Sequence, residues 1–254
     1  MNLNDKVIVI TGGGQGLGRG MAVSLAQKGA KLALIDLSQE NLNESTRLCR
    51  EAGSEAKGYT ANVADQNEVV AAFDQIINDF GEIHGLINNA GITRDALLVK
   101  VDKEGNVRRG MDVNQWQSVI DVNLTGVFLC GQEAAIRMIE KGTKGLIINI
   151  CSISRAGNMG QSNYSAAKSG VASMTVTWAK ELARYGIRVA GIAPGFTKTE
   201  MTESMKPEAL EKLVAMIPLR RMGDPDEIAH SAIYLFENDF YTGRVMEIDG
   251  GMRL

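Results

Sequence analysis

Short runs dominated by valine, isoleucine and leucine recur along this chain at 7–10, 32–35, 85–87, 146–150, 188–192 and 245–248. None shows the apolar/polar alternation of a strand with one wet face, so they read as strands buried on both sides, the signature of a parallel sheet. Between them lie longer segments of helical periodicity at 18–27, 41–51, 68–80, 113–140, 164–185 and 225–235. Parallel neighbours need crossover connections, and strand–helix repetition supplies them. The expected fold class is therefore α/β, a doubly wound parallel sheet with helices on both faces. No Pro/Gly/Ser-rich linker or break in composition divides the chain, which predicts a single domain over 1–254. Two stretches depart from the pattern. Residues 100–110 are charged and carry two glycines, which suggests an exposed loop or hairpin, and 197–217 is rich in Met and Lys, which suggests a helical lid over a substrate.

Charge and cysteine usage exclude several functions. A net charge of −3 and a pI near 5.6 give no global field for nucleic acid or an anionic membrane. Cys49, Cys130 and Cys151 are odd in number and widely spaced, and only His84 and His230 join them, so neither a disulfide framework nor a metal site is expected. There is no signal-peptide layout and no purely apolar stretch of ~18 residues, and the expectation is a soluble cytoplasmic protein.

The first strand runs directly into Thr11-Gly-Gly-Gly-Gln-Gly-Leu-Gly18 and then into a helix. Gly12, Gly16 and Gly18, with Gln15 and Leu17 between them, fit a tight turn that brings backbone against a pyrophosphate at a helix N-terminus. The spacing is Gly-x-x-x-Gly-x-Gly, not the general Gly-x-Gly-x-x-Gly. Asp36, at the end of the second strand, stands where a carboxylate can accept hydrogen bonds from both hydroxyls of an adenosine ribose. Helix capping is the competing use of Asp36, and Ser38 is better placed for that. A 2′-phosphate beside Asp36 would meet like charge, and neither Leu37 nor Gln15 supplies a compensating cation. The cofactor expectation is NAD(H), preferred over NADP(H).

Tyr164 and Lys168 stand one helical turn apart. A phenol normally titrates near ~10 and an adjacent cation lowers that value, which makes the pair a candidate proton donor to a developing alkoxide. With Gly12, Gly16 and Gly18, Asn88-Asn-Ala-Gly91, Asn123 and Ser152 set in order before that pair, the chain resembles the short-chain dehydrogenase/reductase family from end to end. In 91–98, 121–128, 160–164, 193–196 and 249–252 it is similar to bacterial 3-oxoacyl-(acyl-carrier-protein) reductases and their acetoacetyl-CoA reductase relatives.

That resemblance implies a Rossmann-like, seven-stranded sheet, a homotetramer, and a set of roles. Asn62 and Val63 would meet adenine, and Asn88, Ala90 and Gly91 would line the cofactor cleft. Pro194, Gly195 and the backbone of Phe196 and Thr197 would hold the nicotinamide carboxamide, with Thr199 nearby. Asn123, Ser152, Tyr164 and Lys168 would be catalytic. The Ser152–Tyr164 interval is one residue shorter than in the group, which leaves Ser154 as an alternative to Ser152. The 100–110 stretch looks inserted, and Gln15 replaces a basic residue frequent in NADPH-using relatives. Met201, Met205, Met216 and Met222 are candidates for an acyl-chain wall. Arg94, Arg108, Arg109, Arg220 and Arg221 are candidates for contact with an acyl carrier protein. The leading expectation is reduction of a 3-oxoacyl thioester by NADH. The alternatives are a secondary alcohol dehydrogenase or carbonyl reductase for a small or cyclic ketone, and a non-catalytic NADH-sensing regulator.

Overall fold

The computed structural model describes residues 1–198 and 207–253. Seven strands, β1 (Val7–Thr11), β2 (Lys31–Asp36), β3 (Ala56–Thr60), β4 (Gly85–Asn88), β7 (Gly145–Ile150), β8 (Ile187–Pro194) and β9 (Val245–Ile248), form one sheet in the order β3-β2-β1-β4-β7-β8-β9. Every pairing in it is parallel. The order reverses between β1 and β4, so the loops leaving their C-terminal ends diverge and open a crevice there.

Alternate residues of one strand serve two cores, which is why the strand sequences are apolar throughout. Ile8, Ile10, Leu32 and Leu34 face Met21 and Leu25 of α1 (Gly16–Gln27) and Phe236 of the Pro225–Glu237 helix. Val9, Ala33, Ile35 and Ile147 face Phe73 and Ile76 of α3 (Gln66–Phe80) and Met138 of α5 (Gly126–Lys141). Gly85 permits the close approach of Phe236, since a Cβ there would lie 2.6 Å from its ring.

Three features differ from the periodicity reading. Strand β3 is absent from the apolar runs because it is an edge strand whose sequence, Ala-Lys-Gly-Tyr-Thr, buries only Ala56 and Tyr59. The helix read as continuous over 113–140 is α4 (Val113–Ile120) joined to α5 by a π-helical turn at Asp121–Thr125, which places Asn123 in full burial. Periodicity cannot register one added residue in a turn. This run, Val113–Lys141, is long and apolar enough by composition to cross a bilayer, but it packs against α3, β4 and β7. Residues 99–109 form an antiparallel hairpin of β5 (Val99–Val101) and β6 (Val107–Arg109), exposed along both strands.

Candidate active site

The loop after β1 is a backbone cradle braced from both sides. Thr11 Oγ1 accepts from the amides of Asn89 (3.0 Å) and Ala90 (3.1 Å), and Asn89 Nδ2 donates to the carbonyls of Thr11 (3.1 Å) and Gly12 (3.0 Å). Gly12 and Gly16 have φ of +62° and +53°, where a side chain is strained, and a Cβ on Gly18 would fall 2.0 Å from the Gly12 carbonyl oxygen. On the far side Ser45 Oγ donates to Gly14 O (2.9 Å), as does Arg19, whose Nε also reaches Ser45 Oγ (3.0 Å). Gln15 precedes α1 without capping it through its side chain, and its Oε1 accepts instead from Asn41 Nδ2 (3.1 Å). A helix N-terminus with no side-chain acceptor, set in side-chain-free backbone, fits the pyrophosphate of a dinucleotide.

Asp36 Oδ2 accepts from the Gly14 amide (2.9 Å) and Oδ1 from the Ser38 amide (3.2 Å). Ser38 Oγ takes the N-cap bond of α2 (Gln39–Glu51) from Asn41 N (3.2 Å), so Asp36 is not the cap. Its carboxylate lies against the glycine loop with acceptor capacity to spare, and Leu37 beside it is 69% exposed.

The other candidates behave unequally. The Asn62 side chain accepts from Ala64 N (3.0 Å) in a local turn, and Val63 packs on Gly126, where a Cβ would lie 2.9 Å from Val63 Cγ2. Asn88 turns into the protein: Nδ2 donates to Asn149 Oδ1 (2.9 Å), whose own amide reaches Thr175. Ala90 and Gly91 continue along the crevice, and Gly91 faces Asn123, whose Oδ1 would lie 3.5 Å from an added Cβ. Gly195 donates to Ile248 O (2.9 Å) and runs so close to Asp249 that a Cβ would sit 2.7 Å from its Cα. Buried Thr197 bridges to Gly223. Thr199, Met201 and Met205 lie outside the described residues, as does the 199–206 part of the expected lid. Met216 is exposed and Met222 buried.

Ser152 lies two residues beyond β7 and opens a turn, with Oγ accepting from Ser154 N (3.1 Å). Its hydroxyl is also the side-chain group that draws the Tyr164 phenol on α6 (Ser162–Leu182) toward ionisation, so Ser152 and not Ser154 acts on the tyrosine. Lys168 Nζ donates to Ile150 O at 2.7 Å and lies 5.6 Å from the Tyr164 ring centre. Burial pulls Lys168 down to about 8. Tyr164 differs from the expectation of a phenol lowered by its cation. Burial pushes it above the ordinary value, the Ser152 hydrogen bond opposes that, and the charges of Asp95 and Cys151 add to it. Asn123 pairs with one residue in both directions: its Oδ1 accepts from Ile92 N (2.8 Å) and its Nδ2 donates to Ile92 O (2.9 Å).

Sequence reasoning passed over Thr11, Asn89, Arg19 and Ser45, which brace the glycine loop, and Asn163, which braces α6 by donating to Arg94 O and Gln115 O, both at 3.0 Å. Asn89 was legible only as part of the Asn-Asn-Ala-Gly segment, and Asn163 only by adjacency to Tyr164. No cluster of metal-ligating side chains occurs among the described residues. Cys151 has its thiol raised to about 11 by burial, which does not suit a nucleophile. Two surface recesses, about 470 Å³ along β9 and about 760 Å³ between α1 and the Pro225–Glu237 helix, lie apart from Tyr164.

Residues 6–210 match the short chain dehydrogenase family. The chain is 41% identical over 255 residues to a 3-oxoacyl-[acyl-carrier-protein] reductase of Thermotoga maritima, covering 99% of each. Among solved structures it is similar to a levodione reductase (TM-score 0.88, 36% identity, 98% of each chain). It is also similar to an NAD+-bound xylitol dehydrogenase (TM-score 0.89, 28% identity, 99% of this chain and 100% of that one).

Proposed function

From the premise that this chain belongs to the short-chain dehydrogenase family, we propose that it is an NADH-dependent reductase of 3-oxoacyl thioesters, reversible toward the 3-hydroxyacyl form. The observation that carries the reading is the convergence of Ser152, Tyr164 and Lys168 at the C-terminal end of the sheet, the end at which the uncapped start of α1 also lies. The full-length similarity to a 3-oxoacyl-[acyl-carrier-protein] reductase supports the substrate class.

Gly12, Gly16, Leu17 and Gly18 would hold the pyrophosphate, Asp36 the adenosine ribose, and Pro194, Gly195 and Thr197 the nicotinamide end. When bound, the reduced dinucleotide supplies a hydride to the carbonyl carbon. Tyr164 gives its phenolic proton to the carbonyl oxygen, and Ser152 fixes and polarises that oxygen. Burial suits Tyr164 to this work, because a donor must carry its proton before the step. Lys168 supports the resulting phenolate with its charge. Asn123 has its side chain committed to Ile92 in both directions, which does not suit that side chain to the water-holding role implied by the family resemblance.

NADH is favoured because a phosphate placed ~4 Å from the Asp36 carboxylate meets a repulsion of ~4 kcal/mol at an effective dielectric of ~20. An acyl carrier protein has limited cationic contact available. Arg108 is paired with Asp102 (3.3 Å) and Arg221 with Glu227 (2.7 Å), which leaves Arg94, Arg109 and Arg220 as the better candidates. A second reading, a carbonyl reductase or secondary alcohol dehydrogenase for small ketones, is favoured by the whole-chain similarity to a levodione reductase and a xylitol dehydrogenase.

Cofactor oxidation is measured with acetoacetyl-CoA and with simple ketones, each with NADH and NADPH, on wild type and Tyr164→Phe. The expected result is turnover of the thioester with NADH and its loss in Tyr164→Phe with cofactor binding intact. Higher efficiency on simple ketones would establish the second reading, and near-wild-type turnover in Tyr164→Phe would remove the proton donor.

A further inference from the structure

Asn163 occupies the second position of α6, immediately before Tyr164, and is fully buried. Its side chain is spent in three directions. Nδ2 donates to the carbonyl oxygens of Arg94, in the loop between β4 and β5, and of Gln115, in α4, both at 3.0 Å. Oδ1 accepts from Tyr164 N (2.8 Å), one of the amides that the start of a helix leaves without a partner inside the helix. A carboxamide can do this because it carries two donor hydrogens and an acceptor in one plane. The loop it grips is held elsewhere as well: Asn123 clamps Ile92 through both Oδ1 and Nδ2, and Ala96 N donates to Gly160 O (2.8 Å).

On the far side of Tyr164 the same helix is fixed by other means. Lys168 Nζ donates to Ile150 O (2.7 Å), and Gly170 lies so close to Leu124 of the π turn that a Cβ would sit 2.8 Å from Leu124 Cδ1. Tyr164 therefore stands between two anchorages, one before it along α6 and one after it. The start of α6 has no side-chain cap. Gln161 also donates there, from Nε2 to Asp95 Oδ2 (2.9 Å), but that bond is exposed to competing water.

We propose that Asn163 is a positioning residue for proton transfer, setting where the Tyr164 phenol stands by pinning the first turn of α6 to the loop after β4 and to α4. The role rests on the reading of Tyr164 as the donor. A helix is stiff over one turn, so a tyrosine pinned on both sides neither slides along α6 nor tilts away from a carbonyl in the crevice. Cutting the pin before Tyr164 leaves Lys168 and Gly170 as a pivot about which the phenol swings. A displacement of about 1 Å in a reacting group costs up to about 10²-fold in rate.

One measurement needs neither substrate nor cofactor. In NMR of protein labelled at the tyrosine ζ-carbon, the Tyr164 signal is identified among five tyrosines by its loss in Tyr164→Phe. Asn163→Ser, too short to span both carbonyls, is expected to shift that signal and leave those of Tyr59, Tyr185, Tyr234 and Tyr241 in place. Asn163→Asp, which keeps an acceptor for Tyr164 N and loses the donors, should do the same, and it carries the test if Asn163→Ser does not fold. The other measurement is reduction by NADH of whichever of acetoacetyl-CoA and the simple ketones turns over. Each Asn163 variant should lose about 10- to 100-fold in kcat with KM and NADH affinity within about threefold, whereas Gln161→Ala should stay within about twofold of wild type. In a Tyr164→Phe background Asn163→Ser should cost almost nothing further, because a residue that acts through the phenol then has nothing left to place. A Tyr164 signal that stays put, five signals that move together, an equal loss in Gln161→Ala, or losses that multiply in the double variant would overturn the proposal. Turnover surviving in Tyr164→Phe would instead remove the donor reading, while the carbon signals would still report whether Asn163 places the ring.

Discussion

Lys168 Nζ sits 2.7 Å from the carbonyl oxygen of Ile150, inside the protein and one helical turn from Tyr164, and the lysine is only 3% exposed. An ammonium held there is costly. Its value falls from 10.5 to about 8 through burial, so between those pH values the unfolded chain binds a proton that the native protein does not. Stability therefore rises as pH climbs from 8 to 10.5. Below 8 the charge costs the native state about 3 kcal/mol. Lys168→Met should melt several degrees higher than wild type at pH 7, with the gain shrinking toward pH 10, and should lose activity. A melt that falls equally at both pH values would show that the Ile150 hydrogen bond outweighs the buried charge.

Ser152 Oγ accepts from Ser154 N and acts on the Tyr164 phenol, so its hydroxyl is already oriented before a substrate arrives. Removing one preorganised donor at a developing oxyanion typically lowers kcat by about 10²–10³. Ser152→Ala should show that loss with little change in cofactor affinity, and Ser154→Ala should stay within a few-fold of wild type. Steady-state kinetics of the two variants side by side check it. The reverse order would transfer the role to Ser154, the alternative raised by the shortened interval to Tyr164.

How much of this was legible in the sequence depends on whether a residue acts locally or at a distance. Ile8, Ile10 and Val9 announce a two-sided strand because each buries its own side chain, and Gly12 and Gly16 announce a turn because their own φ demands it. Tyr164 and Lys168 could be paired because a helix fixes their spacing. The π turn that buries Asn123 could not, since one added residue leaves the apolar period almost unchanged. Strand β3 went unread in the apolar runs because it lies at the sheet edge and buries only Ala56 in one core and Tyr59 in the other, too few residues to make a run. Asp95 and Asn163 went unread because their partners lie far off along the sequence and are brought to them only by the fold. The direction of the Tyr164 shift was misjudged for the same reason. Lys168 is visible four residues away, whereas desolvation by the fold and the charge of Asp95 are not.

Asp36 and Leu37 should together control the choice of dinucleotide. Asp36 accepts from Gly14 N and Ser38 N and presents its remaining lone pairs where a ribose would lie, and Leu37 is exposed beside it. Asp36→Ser with Leu37→Arg removes the negative charge and adds a cation for a 2′-phosphate. The expected outcome is a fall in kcat/KM with NADH of at least about tenfold and a larger rise with NADPH, equal to several kcal/mol across the pair. Preference unchanged in the double variant would mean that the selecting contact lies elsewhere in the glycine loop.

Acid stability should depend on His84, at the opposite end of the sheet from Tyr164. Its Nδ1 accepts from the amide of Val7 (3.2 Å), and Nε2 lies 3.1 Å from Lys6 Nζ and 3.5 Å from Glu82. Burial lowers its value below the ordinary 6.5, Lys6 adds to that, and Glu82 opposes it. Because the native value is the lower one, the contribution to stability is complete above 6.5. As pH falls below 6.5 the unfolded chain takes up the proton first, and the contribution is lost down to the native value. Protonation also forces Nδ1 to give up the Val7 amide at the first residue of the central strand β1. Thermal melts from pH 7.5 to 5 should therefore fall more steeply for wild type than for His84→Asn, whose amide oxygen can accept from Val7 without titrating. Parallel curves for the two proteins would assign the acid sensitivity to other groups.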